Sequence, residues 1–222
     1  MPKIFDRSNG KQFDFVFNCG GETRYSQEDD VYKARSYDLI MKLGKEAAKR
    51  QIRCYVEVST GQVYKPAEGP RKETDKIKPW TKLAKWKLTA TEELAQEEDL
   101  NMVILRVAYV YGPYCHGFMS TGLCLARVYQ ELDKEMKWLW DKKLMTNTVH
   151  IKDTARALWT AALWYRDTGQ KAKKGTTPPI FNIVDHNRTC KYALTLICLL
   201  RRPNVAFQVR AQRPSCSARR LT

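Results

Sequence analysis

The sequence predicts an α/β fold in layers, a doubly wound, mostly parallel sheet with helices on both faces. Three observations carry that expectation. Short runs that are apolar on both faces recur at 13–18, 52–58 and 102–107, the pattern of central parallel strands. Stretches with apolar residues near helical spacing separate them. The first strand–helix–strand passage also fits into about 45 residues, the size of a βαβ unit. With 222 residues and 43% apolar side chains, the chain can bury one substantial core.

In order, "FDFVFN" (13–18) is the first strand and runs straight into Gly20 and Gly21. "VYKARSYDLIMKLGKEAAKR" (31–50) has helical spacing and a basic last turn, and "IRCYVEV" (52–58) is the second strand. Residues 61–79, with Gly61, Pro66, Gly69, Pro70 and Pro79 among charges, form a long loop. Residues 80–98 are a helix, "MVILRV" a third buried strand, and Gly112, Pro113 and Gly117 break the chain before a helix near 119–133. "NTVHI" is a short strand and "KDTARALWTAALWYRDTG" a helix with Ala157, Leu158, Ala161, Ala162 and Trp164 on one packed face. "PIFNIVD" is the last strand, and the chain contains no internal repeat.

Composition narrows the function classes. No apolar run approaches the roughly 20 residues that span a bilayer, and the opening "MPKIFDRSNGKQ" lacks a signal-peptide core, so a cytoplasmic protein without a membrane partner is expected. Seven cysteines, an odd number without a C-x-x-C pair, point to neither a disulfide framework nor a zinc site, and no metal is expected. The net charge is +15, but eight of those charges lie beyond Asp185, where no acidic residue remains. The others sit in runs such as "KEAAKRQIR", which are solvated helix faces, so nucleic acid is not an expected partner.

The candidate site starts from "VEVSTGQVYKP" (56–66), where a buried strand ends in Ser59 and Thr60. These hydroxyls either punctuate the strand or face a ligand, because ligands in parallel sheets sit at the carboxyl ends of strands. Gly20 and Gly21 either permit close approach of a flat ligand or make a tight turn. The Asn18 amide can serve a ribose or a neighbouring loop. Arg106 at a strand end is read as half of an ion pair, His150 and Asp153 as parts of a helix start, and Trp159 and Trp164 as core.

At this point the chain resembles the extended short-chain dehydrogenase/reductase family, the NAD-dependent epimerases and dehydratases of nucleotide sugars. Five segments fall in that family's order over residues 13–185: "FVFNCGGET", "VEVSTGQVY", "KLTATEEL", "LRVAYVYGP" and "TVHIKDTARAL" with "FNIVD". The resemblance implies a Rossmann-like sheet over 1–185, NAD or NADP as cofactor, and a nucleotide sugar or similar small molecule as ligand. It makes Thr60 the catalytic hydroxyl and Lys87 the catalytic lysine, and it puts the cofactor against Asn18, Gly20, Gly21, Thr60, Lys87 and Ala108. In that chemistry a tyrosine phenolate beside the lysine takes the proton as hydride moves to the nicotinamide.

The sequence departs from the family in three places. The family's tyrosine and lysine lie four apart, yet none of the 11 tyrosines has lysine four residues later, and the position one turn before Lys87 is Leu83. Taking Trp80 as the aromatic instead puts Ala84 where lysine belongs. No G-x-G-x-x-G or G-x-x-G-x-x-G occurs, so the chain reads as an atypical, truncated isoform without the dinucleotide-gripping half, and binding is expected to be weak. Residues 186–222 read as a basic, poorly ordered tail, and a protein partner is expected to cover the truncated sheet. The sequence therefore predicts a catalytically impaired family member, with a dinucleotide-sensing or regulatory subunit and a basic interaction protein as the alternatives.

Overall fold

The computed structural model describes residue 5 and residues 12–66, 71–134, 145–168, 177–185 and 190–191. They divide into two compact units, Met1–Val107 with Arg156–Ile183, and Ala108–Ala155 with Val184–Thr222.

The first unit holds a four-stranded sheet in the order β1 (Phe15–Asn18), β2 (Cys54–Thr60), β3 (Met102–Val107), β7 (Ile180–Ile183), every neighbour parallel. The three strands expected from their apolar runs thus lie parallel in one sheet. The register sets Asn18 opposite Glu57, Ser59 opposite Arg106 and Arg106 opposite Asn182. β3 is buried along its whole length, as a strand covered on both faces must be.

On one face pack α2 (Asp38–Lys49) and α3 (Lys82–Leu94), burying Ile40, Met41, Ala47, Ala90 and Leu94 with Tyr55, Met102 and Ile104. α1 (Asp29–Tyr32) and a π-helical turn, Lys33–Tyr37, lead into α2. A Cβ on Gly44 would stand 2.3 Å from Leu94 Cδ2, so the two helices approach this closely only over a glycine. On the other face the later turns of α5 (Ile151–Asp167) bury Ala161, Ala162 and Tyr165. Trp164 meets Phe181 edge-on at 5.2 Å. Trp159 lies on Phe15 and Phe17 with ring centroids 5.7 and 6.1 Å away, yet it is 53% exposed, so the core reading of Trp159 is corrected. Among the described residues β1 is an edge strand, with no further strand to close over that ring.

Several boundaries differ from those read in the sequence: β1 begins at Phe15 and β2 at Cys54, two residues late, and α3 ends at Leu94 instead of 98. β2 continues through Ser59 and Thr60, because both pair with β3. α3 begins at Lys82, where the Thr81 hydroxyl accepts the Ala84 N–H at 3.1 Å, and not at Trp80. The helical passage starts at Asp29 instead of Val31.

In the second unit β4 (Tyr109–Tyr111), which the sequence did not reveal, pairs parallel with β6 (Thr148–His150). Asp185 ties this ladder by accepting Thr148 Oγ1–H at 3.0 Å and His150 N–H at 3.3 Å. α4 (Phe118–Glu131) follows β4, and β5 (Met145–Thr146) pairs antiparallel with β8 (Cys190–Lys191). Apart from those two residues of β8, the stretch 186–222, and with it the expectation of a tail, lies outside the described residues. No helix among the described residues is long and apolar enough to cross a membrane.

Candidate functional site

The carboxyl ends of β1 and β2 and the middle of α3 bring Asn18 and Lys87 to one buried carboxyl, Glu57, with Gly21 against Lys87. Glu57 has no exposed surface. Its Oε2 accepts from Asn18 Nδ2 at 2.8 Å and from Tyr55 OH at 2.6 Å, while Oε1 has no hydrogen-bond partner among the described residues. Asn18 therefore spends its amide on Glu57, and its Oδ1 accepts the Gly20 N–H at 3.0 Å.

Lys87 is 7% exposed and donates from Nζ to the Val58 carbonyl at 2.7 Å, which fixes the ammonium beside the end of β2. A Cβ on Gly21 would stand 3.3 Å from Lys87 Cε and 3.6 Å from its Nζ. With φ at +138°, Gly21 is a position only glycine occupies without strain. At Gly20 a Cβ would lie 2.9 Å from Leu39 Cδ2, so packing within the chain already asks for a small residue there.

Burial pushes the Glu57 carboxyl up to about 7, against the pull of the Lys87 charge and the Tyr55 and Asn18 hydrogen bonds. Burial lowers Lys87, and the negative charge of Glu57 opposes that. Burial raises the Cys19 thiol next to them, with Lys87 opposing.

Thr60, half-buried at the end of β2, accepts the Gln62 N–H at 3.2 Å and caps a short 3₁₀ turn, Gly61–Val63. That bond uses the oxygen and leaves the hydroxyl proton to donate elsewhere. Leu83 stands one turn before Lys87 on α3 and is buried. Ala108, the last of the expected cofactor residues, opens the second unit.

After Gly21, Glu22 organises the turn through Thr23 and Arg24. Its carboxylate accepts from the Thr23 and Arg24 backbones and from the Arg24 and Arg35 guanidinium groups. The Arg24 hydrogen bonds hold that carboxyl down at about 2. Ser36 Oγ, in the π-helical turn, accepts the Glu22 N–H at 3.0 Å.

Arg106 is buried, and no carboxylate among the described residues pairs with it. It donates to Tyr64 OH and to the Glu73 carbonyl, and its guanidinium lies 5.0 Å from the Tyr64 ring centre. The ion-pair reading is thereby replaced by a hydrogen-bonded, ring-stacked cation, which suits a charge that must be desolvated. His150 accepts the Lys152 N–H on Nδ1 and meets Tyr111 edge-on, and Asp153 sits in the first turn of α5. No group of three or more side chains placed to hold a metal ion is found among the described residues.

Sequence reasoning missed Glu57, although a signal was present. A carboxylate inside "CYVEV" is the buried polar residue that an apolar strand does not need. Ser36 and Glu22 carried no comparable signal, because their contacts are set by a π-helical turn.

The fold matches solved structures at low identity. A UDP-glucuronic acid 4-epimerase from Bacillus cereus, solved in complex with NAD, is 18% identical with a TM-score of 0.66, covering 82% of this chain and 57% of that one. A dTDP-4-dehydrorhamnose reductase from Clostridium acetobutylicum is 18% identical at TM-score 0.67, covering 89% and 64%. An ADP-L-glycero-D-manno-heptose-6-epimerase from Helicobacter pylori is 21% identical at 0.64, covering 85% and 57%. The chain thus spans 57 to 64% of their lengths, and at such identities the likeness shows the fold. No curated protein matches by sequence. The profile of the NAD dependent epimerase/dehydratase family matches residues 4–183, more than three quarters of the chain, and with the parallel sheet and the five ordered segments it leads to one conclusion: the chain belongs to that family.

Proposed function

We propose that this chain is an NAD(P)-type dinucleotide-binding member of the epimerase/dehydratase family, with a nucleotide sugar or similar small molecule as its second ligand and with impaired turnover. One observation carries the reading: Lys87 is buried against Gly21 at the end of β2, and Leu83 occupies the turn before it. Half of the acid–base pair is present and the proton carrier is not. Thr60 and Lys87 offer a hydroxyl and an ammonium, the donors that suit ribose hydroxyls, and Gly21, without a Cβ, makes room for the lysine side chain. When bound, the dinucleotide would supply hydride chemistry; the chain's residues would orient it. General acid–base catalysis contributes about 10² to 10⁴ in rate, so its loss lowers turnover by that order. A sensing or regulatory role for the same site is the second reading, and Leu83 favours it.

The test is a tryptophan-fluorescence titration with NADH and NADPH, followed by incubation of NAD with UDP-glucose and chromatography of the nucleotide-sugar products, because epimerisation and dehydration return the hydride and leave no net NADH. Weak saturable binding without a new nucleotide-sugar product is expected. An unchanged signal up to about millimolar dinucleotide removes the binding reading, and sustained product formation removes the impairment.

A further inference from the structure

Glu57 is an unusual occupant of a central parallel strand. It is fully buried, one of its two oxygens lacks a partner among the described residues, and its neighbours along β2 are apolar. A carboxylate in that place costs stability, because burial disfavours its charge. An apolar residue would fill the strand more cheaply. The groups that face it are Asn18 and Cys19 at the end of β1, Tyr55 on β2 and Lys87 on α3, and of these Lys87 is the cation. Lys87 is itself buried and would lose its proton more readily without a negative charge nearby. The two act on each other through the interior while their hydrogen bonds go elsewhere, Lys87 to Val58 and Glu57 to Asn18 and Tyr55. The same Asn18 accepts the Gly20 N–H, so the carboxyl reaches the end of β1 through Asn18, while Gly21 lies against the lysine.

We propose that Glu57 is a positioning residue that keeps the Lys87 ammonium charged and in place at the carboxyl end of β2, at the expense of fold stability. In this chain Lys87 has a buried carboxylate as its ionisable partner, with leucine at the position of the phenol. The inference rests on the reading that the dinucleotide binds at Lys87, and it predicts a trade-off between stability and affinity that a structural carboxyl would not produce.

The experiment compares wild type, Glu57→Gln, Glu57→Asp, Lys87→Met and the double variant Glu57→Gln with Lys87→Met. NADH affinity is followed by fluorescence from pH 6 to 9, and urea unfolding is measured at pH 5 and 8. Glu57→Gln is expected to raise the urea midpoint at pH 8 and leave it little changed at pH 5. The same variant should bind NADH about as well as wild type at pH 6 and roughly tenfold more weakly at pH 8, a shift of one pH unit in the alkaline limb. Glu57→Asp should restore that limb. In the Lys87→Met background Glu57→Gln should stabilise more at pH 8 than it does beside Lys87, because the remaining carboxylate has lost its cation. Identical alkaline limbs for wild type and Glu57→Gln overturn the proposal, and so does strict additivity of the two substitutions at pH 8. If wild type binds no NADH at any pH, the dinucleotide reading fails and the unfolding cycle alone decides: coupling upholds the Glu57–Lys87 pair, additivity ends it.

Discussion

At the scale of single residues, the proposed loss of turnover is tested at position 83. Leu83 is buried on α3, so Leu83→Tyr must place a hydroxyl where a methyl now packs. A destabilisation of about 1–3 kcal/mol is expected in urea unfolding, and no conversion of UDP-glucose in the presence of NAD by chromatography of the products. Thr60→Val removes the acceptor of the Gln62 N–H and should lower stability by about 1 kcal/mol. The same substitution should weaken NADH binding in the fluorescence titration, since the donor at the end of β2 is gone. Arg106→Met strips donors from Tyr64 and the Glu73 carbonyl, and a loss of about 1–3 kcal/mol is expected by denaturant titration.

At the scale of elements, the close crossing of α2 and α3 holds Lys87 over the end of β2. Both sides of the crossing, Gly44 and Leu94, are buried, and Leu94 has no exposed surface into which it could retreat. Gly44→Ala gains up to about 1 kcal/mol in helix propensity but puts a methyl 2.3 Å from Leu94 Cδ2. Overpacking of this kind costs about 1–3 kcal/mol, so net destabilisation is expected, and a partial rescue when Leu94→Ala is added. Urea midpoints of the two single variants and the double variant decide it.

At the scale of the whole molecule, two carboxyls with opposite shifts shape the pH dependence of folding. Glu22 is held at about 2 by Arg24, so its contribution is present above the ordinary carboxylate range and is lost as pH falls toward 2. Glu57 is pushed up to about 7 by burial. The folded state then holds a proton that the unfolded chain has released, and stability declines as pH rises from about 4.5 to 7. The decline amounts to at most about 3 kcal/mol and levels off above pH 7. From these two groups the optimum lies near pH 4.5 to 5. Urea unfolding from pH 3 to 8 should show the descending limb in wild type and lose it in Glu57→Gln.

By itself the sequence determined the parallel sheet, the order of strands and helices, the reactive-looking end of β2 and the broken tyrosine–lysine spacing. Those features are local: apolar runs, glycines after strands and residues four apart on a helix are visible without knowing what packs on what. Tertiary structure decided the rest. Whether Arg106 met a carboxylate or the Tyr64 ring depended on a loop folding back over the sheet, and whether Trp159 was covered depended on β1 being an edge. The partner of Lys87 was hidden for the same reason. Glu57 and Lys87 are 30 positions apart, and only the pairing of β2 between β1 and β3, with α3 laid across it, puts the carboxyl and the ammonium into one desolvated interior where burial shifts both and each charge opposes the shift of the other.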